Sequence, residues 1–327
     1  MTHHTDYVQR YFPFSSAVFS MIMGTHALGD DVIIEVDVPR YQHELELKQA
    51  ILRDNDEYYV QSLPGTESMQ WETVELLLPE LARCYPAHFA LHTAGDDWLW
   101  RNMLLDQTWR FRFGDQASLP QPPLDWLGRQ VQEDLLLMSG DVAAGMPLVA
   151  GQLCFGNAWC LNDKVGKSFL RIHDEVPLFA ETIGRPSNLL MERLKAGRPV
   201  WRINWSIKAT DAMNLAPPIN DALASLQEYV TAENAGERCF LRLERQVLLR
   251  LPRTGGILFS IHTYLAPMAR IAAHAEQAQR LHGVLRTAPA SLLDYKGIAP
   301  FAQPLIGYLH ARSTADSQNI QLYHSYW

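Results

Sequence analysis

Long apolar runs are missing from this sequence. No stretch approaches the roughly 18 uninterrupted apolar residues that mark a membrane-spanning helix. The opening residues, Met1 to Phe12, lack both the basic start and the apolar run of a signal peptide, so a cytoplasmic location is expected. Cysteine is scarce. Cys84, Cys154, Cys160 and Cys239 form no CxxC pair, which excludes a disulfide scaffold and leaves no zinc-knuckle spacing. Positive charge is the minority sign, with 28 Lys plus Arg against 36 Asp plus Glu and a net charge of -8. That balance, with no dense basic cluster, argues against a nucleic-acid partner. No GxGxxG, P-loop, GxSxG or HExxH motif occurs, so the common dinucleotide, phosphate-loop, serine-hydrolase and zinc-protease signatures are all absent.

What is present suits a chain with a substantial core. Hydrophobic residues make up 47% of the 327, enough to house a buried cofactor, and the nine Trp could line a cavity or fill the interior. The segment VIIEVD (32–37) alternates as a short strand would, and RYQHELELKQAILRD follows with helical spacing. A second helix fits SMQWETVELLLPELARCYPAHF, with Pro79 able to kink it and Pro86 favouring its end near Cys84 or Tyr85. TWRFRF alternates like a strand, and the Pro-rich ASLPQPPLDW (117–126) is the best candidate for an internal boundary. LGRQVQEDLLLM has Leu127, Val131, Leu135 and Met138 at helical spacing and is expected to be a helix.

PLVAGQLCFGNAWCL reads as a strand entering a turn, RPSNLLMERLKAG as a helix stopped by Gly197, and PVWRINWSIKA as a strand. The clearest sheet signal is RCFLRLERQVLLRLPRTGGILFSIHTYLAP, two strands joined by a hairpin at 252–256. A helix through APMARIAAHAEQAQRLHGVLRTA follows, then a mixed tail beyond Pro300 with room for a short helix. The fold class is α+β: helices outside a mainly antiparallel sheet.

Several side chains carry candidate chemistry. His173, in KSFLRIHDEVPLF, lies where Pro177 limits a helix. It could project into a cavity as a metal ligand, with Asp174 or Glu175 orienting its other ring nitrogen; a structural or surface role is the alternative. His262 raises the same choice and shares a strand face with Tyr264. Arg202 and Asn204 alternate with Ile203 and Trp205, and such an Arg can pair with a carboxylate, a haem propionate included. Glu244, Arg245 and Gln246 interrupt an apolar strand, which indicates a buried hydrogen-bond network or a site. Glu133 and Asp134 are adjacent and point apart, so they make poor partners across a substrate.

The ordered pieces DVPRYQHELELKQAIL, VQEDLLLM, KVGKSFLRIHDEVP, RINW and LERQVLLRLPRTGGILFSIHTYL together resemble the haem-dependent oxidative N-demethylase family. The resemblance implies a single PAS-like domain with helical elaborations around b-type haem. His173 matches the histidine of the family's I-H-x-x-V-P motif, which implies the proximal iron ligand, with His262 as the fallback. Arg202 matches R-x-N-W, Arg245 matches E-R-Q, and Tyr264 matches the tyrosine of the return strand. Arg202 and Arg245 are thereby implied in the cofactor pocket, and Tyr264 and Arg245 in catalysis. Asp174, Glu175 and Val247 depart from the common family residues, which bears on the substrate.

The implied activity is removal of an N-methyl group from a small amine with O2, as a haem-dependent monooxygenase. Electrons would come from a separate NAD(P)H reductase carrying FMN and a 2Fe-2S cluster, and tetrahydrofolate would be a possible one-carbon acceptor. A haem oxygenase acting on another nitrogen-containing metabolite, or a PAS-like haem sensor, are the alternatives.

Overall fold

The computed structural model describes residues 6–324, with side chains to Ser313. Ten strands occur in chain order. They are β1 (His26–Ala27), β2 (Val60–Ser62), β3 (Phe89–Ala94), β4 (Asp97–Asn102), β5 (Gln107–Arg112), β6 (Asp134–Met138), β7 (Leu148–Gln152), β8 (Val200–Lys208), β9 (Phe240–Arg250) and β10 (Ile257–Pro267). The longer helices are α1 (Val38–Tyr59), α2 (Glu67–Cys84), α3 (Arg185–Arg193), α4 (Ala275–Thr287) and α5 (Ala302–His324).

The main sheet has the order β1-β8-β9-β10-β6-β7-β2 and is antiparallel throughout; β3-β4-β5 form a separate three-stranded meander. Numbered along the chain, the five central strands β6, β7, β8, β9 and β10 lie in the order 2-1-5-4-3, with a largely helical insert between the second and third. That is a PAS-like arrangement, and the α+β expectation holds.

The β9–β10 hairpin forms as expected, in register from Arg250↔Ile257 to Phe240↔Pro267. Residues opposite one another in an antiparallel pair share a face. The odd-numbered side chains of β9, Leu241 to Leu249, therefore lie with Tyr264 and Leu258 of β10, and the even-numbered ones lie with Thr263 and Ile261. The first face packs under the N-terminal segment, α2, α4 and α5, where Tyr11, Leu78, Leu281 and Leu305 are buried. The second packs under the insert, where Phe169, Phe179 and Met191 meet Leu248 and Ile261.

Three expectations are corrected. Residues 127–138 are not a helix. A short helix, Pro123–Gly128, ends there, and Asp134–Met138 becomes the fully buried strand β6. Its helical periodicity was accidental, because a strand covered on both faces carries apolar residues at every position. Residues 32–37 are not a strand. Their backbone groups go to side chains instead: Ile33 N–H to Glu80 (2.6 Å), Glu35 N–H to Glu133 (2.8 Å) and Asp37 N–H to Gln132 (2.8 Å). Among the described residues, the chain beyond Phe301 is one long helix, α5, to His324.

Helix α2 continues through Pro79 and ends at Cys84, as the position of Pro86 implied. The Pro-rich 117–126 stretch contributes Leu119, Leu124 and Trp126 to a cluster shared with Trp100 before it and Leu135 after it. All four cysteines are free. Among the described residues, no helix is long and apolar enough to cross a membrane.

Candidate functional site

The sheet divides the candidate residues between its two faces. On the insert side, the helical turn Phe169–Ile172 ends at His173, which caps it. The His173 ring stacks on Phe179 at 4.5 Å between centroids and 10° between planes, and leans on Phe169 at 4.8 Å. Its Nδ1 lies 2.8 Å from the Phe169 carbonyl. A carbonyl can only accept, so Nδ1 carries the proton and Nε2 keeps its lone pair.

Burial lowers the His173 pKa, and the charges of Arg202 and Lys164 add to that against the opposing pull of the Phe169 carbonyl. The ring is thus held neutral. Asp174 and Glu175 do not orient it, contrary to expectation: Asp174 lies 3.9 Å from Arg171 and Glu175 3.3 Å from Lys164. The backbone just beyond is unusual. Leu178 has φ of +63°, and a π-helical turn, Ala180–Gly184, leads into α3. Such irregularities cluster at functional loops.

The floor under this segment is polar where β8 and β9 meet. Arg202 presents a buried Nε without a hydrogen-bond partner among the described residues, and burial lowers its pKa. Asn204 Nδ2 donates to Glu244 at 3.1 Å, as does Gln246 Nε2, while Arg242 Nε donates to the other Glu244 oxygen at 3.2 Å. Burial would raise Glu244, but Arg242 and Asn204 outweigh it and keep the carboxylate ionised. The network expected of the Glu244–Arg245–Gln246 triplet is therefore present, although only Glu244 and Gln246 belong to it.

Arg245 points the other way. Its guanidinium donates to the carbonyls of Val32 and Ile33, and its Nε lies 3.7 Å from Glu35. Tyr264 donates to Glu35, as Tyr11 does at 2.7 Å. His262 stacks on Tyr264 at 4.3 Å, and its Nδ1 meets Glu133 at 3.0 Å. Burial alone would lower the His262 pKa, but Glu133 outweighs it and the net direction is up. His173 and Arg202 thus lie on one face of the sheet, and Arg245, Tyr264 and His262 on the other.

Sequence reasoning passed over Lys208, Lys296 and Glu35, and saw Glu133 on a helix. Glu133, just before β6, and Asp134, its first residue, in fact point in opposite directions, Glu133 to His262 and Asp134 to the backbone N–H groups of Cys154 and Phe155. Lys208 was legible, as the fourth polar residue of the alternation Arg202, Asn204, Ser206, Lys208. Lys296 carries no local signal.

Among the described residues, no group of three or more His, Cys, Asp and Glu side chains could hold a bare metal ion. A haem iron asks less of the protein: one neutral imidazole with a free nitrogen, and cations for its propionates. His173 and Arg202 fit that requirement. The fold and this face define a PAS-like protein with a carbonyl-bound, neutral histidine on the segment covering its sheet. A family model described as haem-dependent oxidative N-demethylase, alpha subunit-like, matches residues 24–306, and the chain belongs to that family.

Proposed function

We propose that this chain binds b-type haem on the insert face and removes an N-methyl group from an amine. The observation that carries the reading is the His173 imidazole, fixed by the Phe169 carbonyl as the tautomer whose Nε2 can bind iron. Arg202 is the cation for a propionate, since its buried Nε has no partner among the described residues. Haem supplies the oxygen chemistry, which no side chain here can provide. The chain's own part is to hold the imidazole neutral, to shield the site with Phe169 and Phe179, and to keep Glu244 ionised beside the amine.

The balance of the reaction is that of a monooxygenase. The N–CH3 bond breaks, the carbon leaves as formaldehyde, and O2 with two electrons and two protons also yields water. The electrons come from a separate NAD(P)H reductase with flavin and iron–sulfur centres, and tetrahydrofolate is a candidate acceptor for the carbon. Arg245 and Tyr264 hold the N-terminal segment and take no direct part at such a haem, because the sheet stands between.

A pyridine haemochrome assay on protein expressed with adequate haem tests the cofactor; stoichiometric b-type haem is expected. His173→Ala should lose or radically change the visible spectrum while the circular dichroism is retained, and an unchanged axial ligation overturns the assignment. Reduced holoprotein with O2 should then remove one methyl group from at least one member of an N-methylamine panel, read by mass spectrometry. An N-hydroxylated product would show a different haem oxygenase.

A further inference from the structure

The charges on the insert face narrow the class of amine. Beyond Arg202, β8 sends Asn204, Ser206 and Lys208 to this face, and β1 covers the β8 edge only at Val200 and Trp201. Lys296 sits at the open part of that edge and donates to the Trp205 carbonyl at 2.6 Å, while Lys208 donates to the Lys296 carbonyl at 3.3 Å. Lys296 also stands over the Trp205 ring, 4.6 Å from its centroid; an ammonium has three donors, so Lys208 keeps two in hand and Lys296 one.

Glu244 is the carboxylate among them, and its oxygens already accept from Arg242, Asn204 and Gln246. Arg242 is committed to the carbonyls of Met213 and Phe155. Glu175, near His173, is bound to Lys164. Three cations, Arg202, Lys208 and Lys296, thus gather along β8 and its edge, against one largely satisfied carboxylate. Burial and repulsion from neighbouring cations lower the Lys208 and Lys296 amines to about 8, and Glu244 only partly offsets this.

A simple methylamine is itself a cation near neutral pH and would add a like charge here. A molecule carrying a carboxylate beside its methylated nitrogen is a zwitterion near neutral pH and adds no net charge, and its carboxylate would complement the cations. Resting on the demethylase reading above, we propose that the substrate is an N-methylated amino acid, whose carboxylate is taken by Lys208 and Lys296. One haem propionate is assigned to Arg202, which shares the insert face of β8 with Lys208.

The test is calorimetric titration of the haem-loaded protein, and of the haem-free protein, with N,N-dimethylglycine and with dimethylamine. Dimethylglycine should bind at least about tenfold more tightly. Lys296→Met and Lys208→Met should each remove most of that preference at unchanged haem content, and Lys296→Arg should retain it as a folded, charge-keeping control. Equal or tighter binding of dimethylamine overturns the proposal. So does a Lys296→Met protein that loses haem affinity yet keeps the preference, since the lysines would then serve the propionates. A wild-type chain that never takes up haem but still prefers dimethylglycine would refute the demethylase reading and leave the carboxylate subsite standing.

Discussion

The direction in which the fold shifts protonation separates the two histidines that the sequence left as rivals. His173 is held neutral by burial, with its one N–H spent on a carbonyl. His262 is drawn towards the charged form by Glu133, with both groups fully buried. A histidine whose folded pKa is raised stabilises the fold fully below its unfolded value of about 6.5, and that contribution is lost as pH rises through the higher folded value. Melts from pH 5.5 to 9 should therefore show the stability gap between wild type and His262→Gln shrinking as pH rises. A gap constant with pH would mean that His262 is neutral throughout. The neighbouring phenol gives a second test. Tyr264→Phe removes a charge-assisted bond to Glu35 and should cost about 1.5–3 kcal/mol in denaturant unfolding.

One element shows how side chains overrode local pattern. The backbone between the Pro123–Gly128 turn and β6 is gathered by Lys48, a fully buried lysine of α1. Its ammonium bonds the carbonyls of Gly128 (2.9 Å), Val131 (3.3 Å) and Glu133 (2.6 Å), and lies 3.7 Å from Asp134. A helix through 127–138 would need those carbonyls for itself; here they are drawn to one cation, and the chain is free to enter the sheet. Lys48→Met keeps the volume but leaves three carbonyls without their donor and Asp134 with only the backbone N–H groups of Cys154 and Phe155. Urea unfolding should show a loss of about 3–5 kcal/mol, the cost of breaking a buried pair. A loss below 1 kcal/mol would mean that the segment is held by packing alone.

At the scale of the whole molecule, the main sheet is a partition. Phe169, Phe179 and Ile261 pack on one side, while Tyr11, Tyr264 and Leu281 pack on the other. Substitutions should sort by side. Arg202→Leu should weaken haem retention, measured by transfer to apomyoglobin, and Tyr264→Phe should leave the haem spectrum as in wild type. A Tyr264→Phe spectrum altered as much as that of His173→Ala would place both residues at one site and contradict the partition.

The sequence by itself determined the hairpin Phe240–Pro267, strand β8, helices α1 and α2, and the candidacy of His173, because each is written in residues close along the chain. Strand periodicity, turn residues and proline positions act over a few residues and are legible there. Tertiary structure alone decided the fate of 32–37 and 127–138, whose backbone partners, Glu80, Arg245 and Lys48, come from distant elements. It also decided which candidates meet. Arg202 and Arg245 look alike as arginines in polar strand positions, yet antiparallel register sets Arg202 opposite Gln246 and Arg245 opposite His262. Because side chains alternate with a period of two, that register sends the two guanidinium groups to opposite faces of the sheet.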